Sequence, residues 1–412
     1  MTSPKNICVI GLGYIGLPTA AVFARSGFQV HGVDVNQAAV ETIKTGRAPI
    51  VEVDLDGLLQ GVVSAGKLTV GTAPKDADAF IIAVPTPLCA DKTADLSHVE
   101  AATRSIAPFL QPGNLVIMES TVPPGTTQQM CAWLEDERPD LKAGGGAGKA
   151  YHAAHCPERV LPGRILIELV QNDRIIGGAT TQCAHMARDL YESFVKGECI
   201  VSSMRTAELT KLTENAFRDV NIAFANELSH ICDTLEVDVW ELITLANRHP
   251  RVNILQPGPG VGGHCIAIDP WFIVERAPQQ AKLIAKARAI NDAKPAIVVS
   301  KVIKHADRFK DPVIACLGLT FKADIDDLRD SPALHITQRL AQDTGYRILA
   351  VEPNIDTLPA ALIDSGVTLA ELDTALTAAD IIVLLVDHKQ FKRLPGSRLA
   401  ETCVVDTKGL WR

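Results

Sequence analysis

Short apolar runs rich in β-branched residues recur along the chain and alternate with segments of helical character. The runs at Asn6–Ile10, Phe28–Val33, Ala79–Val84, Leu115–Glu119, Tyr151–Ala154 and Arg174–Gly177 read as buried strands. A strand covered on both faces shows a continuous apolar run, whereas one with a wet face alternates. Leu17–Arg25 has helical character, and Gly27 ends it. Strand and helix in turn predict a doubly wound parallel sheet, with ligands at the carboxyl ends of its strands.

The pattern then changes. Arg205 to about Glu236 is one long helical stretch without Gly or Pro, and Val237–Ala246 is a second helix. Gln279–Phe309 is again helical, with an interruption expected at Pro295. Strand-like runs return at Pro312–Leu317, Arg347–Val351, Asp380–Val386 and Cys403–Val405. They echo the first half: ADAFIIAV at Ala77–Val84 resembles ADIIVLLV at Ala379–Val386, and QVHGVDVN at Gln29–Asn36 resembles RILAVEPN at Arg347–Asn354.

Composition narrows the function classes. At 412 residues the chain exceeds one ordinary core, and 47% hydrophobic with 21% charged residues is a globular balance. A net charge of −8 argues against nucleic acid as a partner. The longest apolar runs are of strand length, which argues against a membrane span. The first strand starts almost at once, leaving no room for a signal peptide. Ten cysteines without CxxC pairs fit a cytoplasmic protein with reduced thiols.

The first strand leads into Gly11-Leu12-Gly13-Tyr14-Ile15-Gly16, a helix, a second strand and Asp34. In this order Gly11 allows the tight turn, Gly13 lets a pyrophosphate approach the helix N-terminus, and Gly16 lets helix and strand pack. Asp34 is placed to accept from an adenosine ribose, which favours NAD over NADP. Thr86, Ser120-Thr121 and Glu158 follow later strands on the same expected sheet edge. The segment Lys142–Lys149, KAGGGAGK, lacks a phosphate-loop ending and reads as a surface loop.

On the long helix Lys211, Asn215 and Arg218 share one face. Ala216, Phe217, Ile222, Ala223, Phe224 and Ala225 predict that this polar stripe is partly buried and needs partners such as a ligand. Asn247-Arg248-His249-Pro250-Arg251 brings positive charge that suits an anionic substrate. It leads to Gln256–Trp271, QPGPGVGGHCIAIDPW, expected as a tight loop whose glycines let backbone approach a ligand. Cys265 is there either a nucleophile beside Asp269 or a small buried hydrophobe. In the second half the first turn has lost the three-glycine pattern, and Lys322 and Arg329 are candidate phosphate contacts or plain surface charges. A dinucleotide site with a catalytic cysteine suggests oxidation through a thioester.

These stretches together resemble the UDP-glucose/GDP-mannose dehydrogenase family over the whole length. The resemblance is carried by GLGYIGLP, PTP at Pro85–Pro87, STVPPGT at Ser120–Thr126, CPERVLPG at Cys156–Gly163, ELTKLTENAFRDVNIAFANEL at Glu208–Leu228, PGPGVGGHCIAIDPWF, and GLTFKADIDDLRDSP at Gly318–Pro332. Within the family, NRHPRVNILQPGPGVGGHC is most similar to members acting on UDP-N-acetyl-D-mannosamine, and His264 stands where the UDP-glucose enzymes typically have serine. The resemblance implies two successive NAD-dependent oxidations of a UDP-sugar C6 alcohol to a carboxylate. It implies an α/β fold of two Rossmann-like doubly wound domains, 1–199 for NAD and 311–412 for the UDP-sugar, joined by a helical dimerisation segment, 200–310.

Residue by residue, the resemblance makes Cys265 the thioester-forming nucleophile and Lys211 a general acid/base or oxyanion stabiliser. Asn215 and Asp269 would hold water or the oxyanion, and Glu158 would serve in thioester hydrolysis. Tyr14, Ile15, Asp34, Thr86 and Thr121 match cofactor contacts. Arg159, Val160, Arg218, His249, Arg251, Gly262, Lys322 and Arg329 match substrate-side or domain-closing positions, with Arg329 also near the cofactor and Arg251 able to reach a neighbouring subunit of a homodimer. Two rival readings remain at this point. A non-catalytic NAD sensor would not need Cys265, Lys211 and Asp269 together. A metal enzyme would use His264-Cys265 with Asp269, or His152, His155 and Cys156, but neither set has usual zinc spacing.

Overall fold

Nine strands form the first sheet among the described residues: β1 (Asn6–Ile10), β2 (Gln29–Val33), β3 (Leu68–Gly71), β4 (Ala79–Ile82), β5 (Leu115–Met118), β6 (Lys142–Ala143), β7 (Ala150–His155), β8 (Arg174–Gly178) and β9 (Cys199–Ser203). The computed structural model describes residues 5–144, 149–161, 163–399 and 402–411. The strand order is β3-β2-β1-β4-β5-β7-β8-β9, with β6 beside β7, and every pair is parallel except β7 with β8. The order reverses between β1 and β4, the topological switch point where such sheets bind ligands. Ile7 and Val9 pack into one core and Cys8 and Ile10 into the other, so both faces of β1 are covered. This explains its unbroken apolar run.

The chain divides into two units, Met1–Glu214 with Trp271–Pro278, and Asn215–Pro270 with Gln279–Arg412. The first holds the sheet just described. The second holds a five-stranded parallel sheet of β10 (Val313–Leu317), β11 (Arg347–Val351), β12 (Thr368–Leu369), β13 (Ile381–Leu384) and β14 (Cys403–Asp406), in the order β12-β11-β10-β13-β14. The internal echo is therefore real: β10, β11 and β13 pair in the same sense as β1, β2 and β4. Local signals set element ends. Ser331 accepts from Leu334 N, Pro332 opens the helix Pro332–Thr344, and Gly345 ends it at φ 70°.

Four expectations need correction. The helix Lys282–Ala306 runs through Pro295 without a break. Proline removes one N–H, but buried Arg288 and Asn291 before it and Val298, Val299 and Val302 after it hold both halves in place. The cysteine loop ends at Ile268, because Asp269-Pro270-Trp271 is already the first turn of the helix Asp269–Arg276, and proline is well tolerated there. Lys142 and Ala143 are not loop but β6, while 145–148 lie outside the described residues. The short strands β3, β9 and β12 were not expected, since each is only partly buried and lacks a continuous apolar run.

Candidate active site

In the first unit, Gly11 sits at φ 92° and donates to Val33 O at 2.8 Å. A Cβ there would lie 2.5 Å from Ala83 O, and one at Gly16 would lie 1.9 Å from Gly11 O. A Cβ at Gly13 would meet no atom within 4 Å. Two of the glycines are thus demanded by the fold, and the third leaves its backbone open beside the N-terminus of the helix Gly16–Arg25. That helix has no acid in its first turn, so no side-chain charge of its own offsets its positive end. Tyr14 and Ile15 complete the turn. Asp34 Oδ2 accepts from Leu12 N at 2.9 Å and Oδ1 from Asn36 N at 2.8 Å, which fixes the carboxylate beside the turn. Thr86, just past β4, has a buried hydroxyl without a hydrogen-bond partner among the described residues. A buried orphan hydroxyl is costly unless a ligand meets it. These features fit NAD: Gly13 and the helix end would take the pyrophosphate, Asp34 the ribose, and Thr86 and Thr121 the loops beyond.

Glu158 follows β7 and is buried; its Oε2 accepts from Val160 N at 2.8 Å. Lys211 Nζ lies 3.3 Å from its Oε1, with both side chains at or below a tenth exposed. Burying either charge alone would be costly, so each stabilises the other in place. Arg159 pairs with Glu214 at 2.8 Å and donates to Asp173 O at 3.0 Å. Glu214 was not singled out from sequence, although it sits three residues after Lys211, where helix neighbours meet.

In the second unit, Asn215 Nδ2 donates to Asp269 Oδ2 at 2.5 Å, and both residues are buried. Cys265 is exposed at the end of the loop, and its carbonyl accepts from Ile268 N and Asp269 N at 3.0 and 2.8 Å. Cys265 is therefore not the small buried hydrophobe of the alternative reading. The loop glycines let the loop pack closely against the chain itself. A Cβ at Gly262 would lie 2.2 Å from Asp330 O, one at Gly263 2.9 Å from the Phe321 ring, and one at Gly260 3.0 Å from Pro332. These close approaches are to the chain's own segment 321–332.

That segment also holds His264, whose Nε2 lies 3.3 Å from Asp327 Oδ2. Arg329 grips the same carboxylate at 2.7 and 2.9 Å. Burial opposes the charge on Asp327, but the Arg329 hydrogen bonds and charge outweigh it, with His264 adding, and lower its pKa to about 2. Lys322, Arg329, Arg218, His249 and Arg251 are all exposed. The stripe expected on the long helix is therefore buried at Lys211 and Asn215 and open at Arg218, with Phe217 and Phe224 exposed as well. At the turn after β10, Glu352 stands where Asp34 stands in the first sheet. It accepts from Leu319 N at 2.7 Å and faces His388 Nε2 at 3.0 Å. Glu352 and His388 are buried and engaged with each other, which agrees with a turn that has lost its dinucleotide role.

A dinucleotide turn with its ribose acid, a buried lysine–carboxylate pair and an exposed loop cysteine define an NAD-dependent oxidoreductase. Three family models cover nearly the whole chain: the NAD binding domain of the UDP-glucose/GDP-mannose dehydrogenase family over residues 5–195, its central domain over 205–293, and its UDP binding domain over 315–412. An NDP-N-acetyl-D-galactosaminuronic acid dehydrogenase of Ralstonia nicotianae is 60% identical, covering 99% of this chain and 96% of the relative. A UDP-N-acetyl-D-mannosamine dehydrogenase of Salmonella typhi is 56% identical over 99% of both chains. A solved UDP-D-ManNAc dehydrogenase from Pyrococcus horikoshii superposes with a TM-score of 0.89 at 40% identity, covering 99% of this chain and 96% of that one. The chain belongs to the UDP-glucose/GDP-mannose dehydrogenase family and is an NAD-dependent nucleotide-sugar dehydrogenase. No helix among the described residues is long and apolar enough to cross a membrane.

Proposed function

We propose that this chain oxidises the C6 alcohol of UDP-N-acetyl-D-mannosamine to the carboxylate of UDP-N-acetyl-D-mannosaminuronate in two steps, through a thioester on Cys265. The observation that carries the reading is an exposed cysteine held by a glycine loop at the head of the helix whose Asp269 is bonded to Asn215. Full-length relatives named for that sugar support the substrate. NAD⁺ supplies the hydride acceptor at both oxidations.

Lys211, with Glu158 beside it, manages the proton of the alcohol and then the oxyanion formed when the Cys265 thiolate adds to the aldehyde. Loss of the second hydride from that adduct leaves the thioester. Water then attacks its carbonyl, Asn215 and Asp269 orient the water, Glu158 assists, and the thiol is released. Gly11, Gly13, Tyr14, Ile15, Gly16, Asp34, Thr86 and Thr121 form the cofactor side. Arg159, Val160, Arg218, His249, Arg251, Gly262 and Lys322 belong to the sugar-nucleotide side, and Arg329 to the cofactor side.

The division into 1–199, 200–310 and 311–412 is part of the same reading, supported by the limits of the family models. We assign a cytoplasmic homodimer. Phe217, Phe224, Ile231 and Leu235 are exposed by 68, 50, 45 and 66% and fall in one stripe of the helix Met204–Leu235, which suits a second copy of this helix. A second substrate reading, an N-acetylgalactosamine nucleotide, is favoured by the 60% identity to the Ralstonia dehydrogenase. UDP-N-acetylglucosamine is the further alternative.

The test is NADH formed per sugar, with each UDP-sugar limiting and NAD⁺ in excess. About two NADH per UDP-N-acetylmannosamine, with little from the other sugars, is expected from the four-electron stoichiometry. Two from a different sugar would keep the mechanism and replace the substrate, and none from any would revive a non-catalytic NAD sensor. Cys265→Ser is expected to bind NAD normally and form no acid, and normal acid production by that variant would sink the thioester.

A further inference from the structure

Three donors of the STVPPGT segment and its helix converge on one carboxylate from another helix. Glu208, in the second turn of the helix Met204–Leu235, accepts from Gly125 N at 2.6 Å on Oε2 and from Thr127 N at 2.7 Å on Oε1. Thr127 Oγ1 donates to the same Oε1 at 2.6 Å. Gly125 and Thr127 begin the helix Thr126–Glu137, so the negative charge sits at a helix N-terminus, where such hydrogen bonds are strong. Thr127 has a single hydroxyl proton and gives it to Glu208. It must therefore accept from His155 Nδ1, 3.2 Å away, which fixes the neutral tautomer of His155. Glu208, Thr127 and His155 are all at most 1% exposed.

Two cross-links therefore join the same two pieces of chain. Glu208 reaches His155 through Thr127, and three residues further along each piece Lys211 reaches Glu158 at 3.3 Å. Residues three apart on a helix lie on neighbouring positions of one face, about 4.5 Å along the axis. We propose that Glu208 is a positioning residue: by capping the helix Thr126–Glu137 it sets the position of Lys211 opposite Glu158. Nothing in the reaction itself uses Glu208. A neutral side chain could fill its space, but not accept three buried donors at once. This assignment rests on the reading of Lys211 as the group that handles proton and oxyanion.

The test compares Glu208→Gln, Thr127→Val and Thr127→Ser with the intact chain, at a temperature well below the unfolding of every variant. Glutamine turns an N–H toward donors that need an acceptor. The expected result is a fall in kcat of about tenfold or more with KM values changed less than about threefold, since misplacing a reacting group by a fraction of an ångström costs rate rather than binding. Thr127→Val removes the Thr127 hydroxyl link and is expected to act in the same direction, while Thr127→Ser restores the rate. Glu208→Gln is then combined with Lys211→Ala, where it should add little further loss, because a residue acting through Lys211 has nothing left to position. A Glu208→Gln chain that melts earlier but keeps its kcat would overturn the proposal, and so would full additivity with a slow Lys211→Ala. A wild-type rate from Lys211→Ala alone would overturn the reading of Lys211 as well, which separates the two failures. If Glu208→Gln does not fold, the valine and serine pair at Thr127 decides: equal rates for the two would overturn the proposal.

Discussion

At the residue scale, buried titratable groups do most to make this chain's behaviour depend on pH. Burial pushes the His155 imidazole from its ordinary 6.5 down to about 3. Between those values the unfolded chain binds a proton that the folded one does not, so stability from this group is complete above pH 6.5 and is lost as pH falls toward 3. The slope is about 1.4 kcal/mol per pH unit for one proton. Urea unfolding at pH 7 and pH 5 should therefore show wild type losing about 2 kcal/mol more than His155→Gln; equal losses would mean that His155 is not held neutral. Gly13 offers a second residue-scale test. Its Cβ position is open, so Gly13→Ala should leave the thermal midpoint within a couple of degrees, while NAD affinity falls by about tenfold as the methyl meets the pyrophosphate. Gly11, Gly13 and Asp34 were legible in the sequence because a turn, a helix and an acid in fixed order leave few alternatives. The Glu214–Arg159 and Asp327–His264 pairs were not, because a partner is a neighbour in space and the two members of each pair are distant in sequence.

At the element scale, the cysteine loop was recognisable by its glycines, but their purpose was not. A loop rich in Gly reads the same whether a ligand or another part of the chain comes close. Here the neighbour is segment 321–332, and a Cβ at Gly262 would lie 2.2 Å from Asp330 O. Gly262→Ala should therefore cost about 1–3 kcal/mol of stability, the typical range for forcing atoms into a packed site. It should also slow turnover by displacing Cys265. Chemical denaturation with a parallel rate measurement checks both; an alanine variant of native stability would show that the loop yields easily. Pro295 makes the complementary point. Its local effect is to break a helix, yet the helix Lys282–Ala306 continues because both flanking turns are buried.

At the scale of the whole molecule, the helix Met204–Leu235 carries an exposed apolar stripe of Phe217, Phe224, Ile231 and Leu235. If the proposed homodimer forms through this stripe, Phe217→Asp with Phe224→Asp is expected to convert it to monomer, as light scattering after gel filtration would show. Placing a charge on each of two buried aromatic anchors costs several kcal/mol at an interface. A dimer of unchanged mass would place the interface elsewhere. The sequence pattern places Phe217 and Phe224 as cover for the polar face of this helix, but both are exposed.

The sequence by itself determined the doubly wound architecture, its repetition in the second half, the dinucleotide turn and the family. Each of these rests on periodicity or on motifs whose residues are close along the chain, so local order is enough to reveal them. The tertiary structure alone decided that Glu352 is taken up by His388, that Lys211 is paired with Glu158 and Asn215 with Asp269, and that Glu208 caps a helix more than 70 residues earlier in the chain. Those pairings depend on which side chains lose their water together, and burial is a property of the packed chain that no local pattern carries.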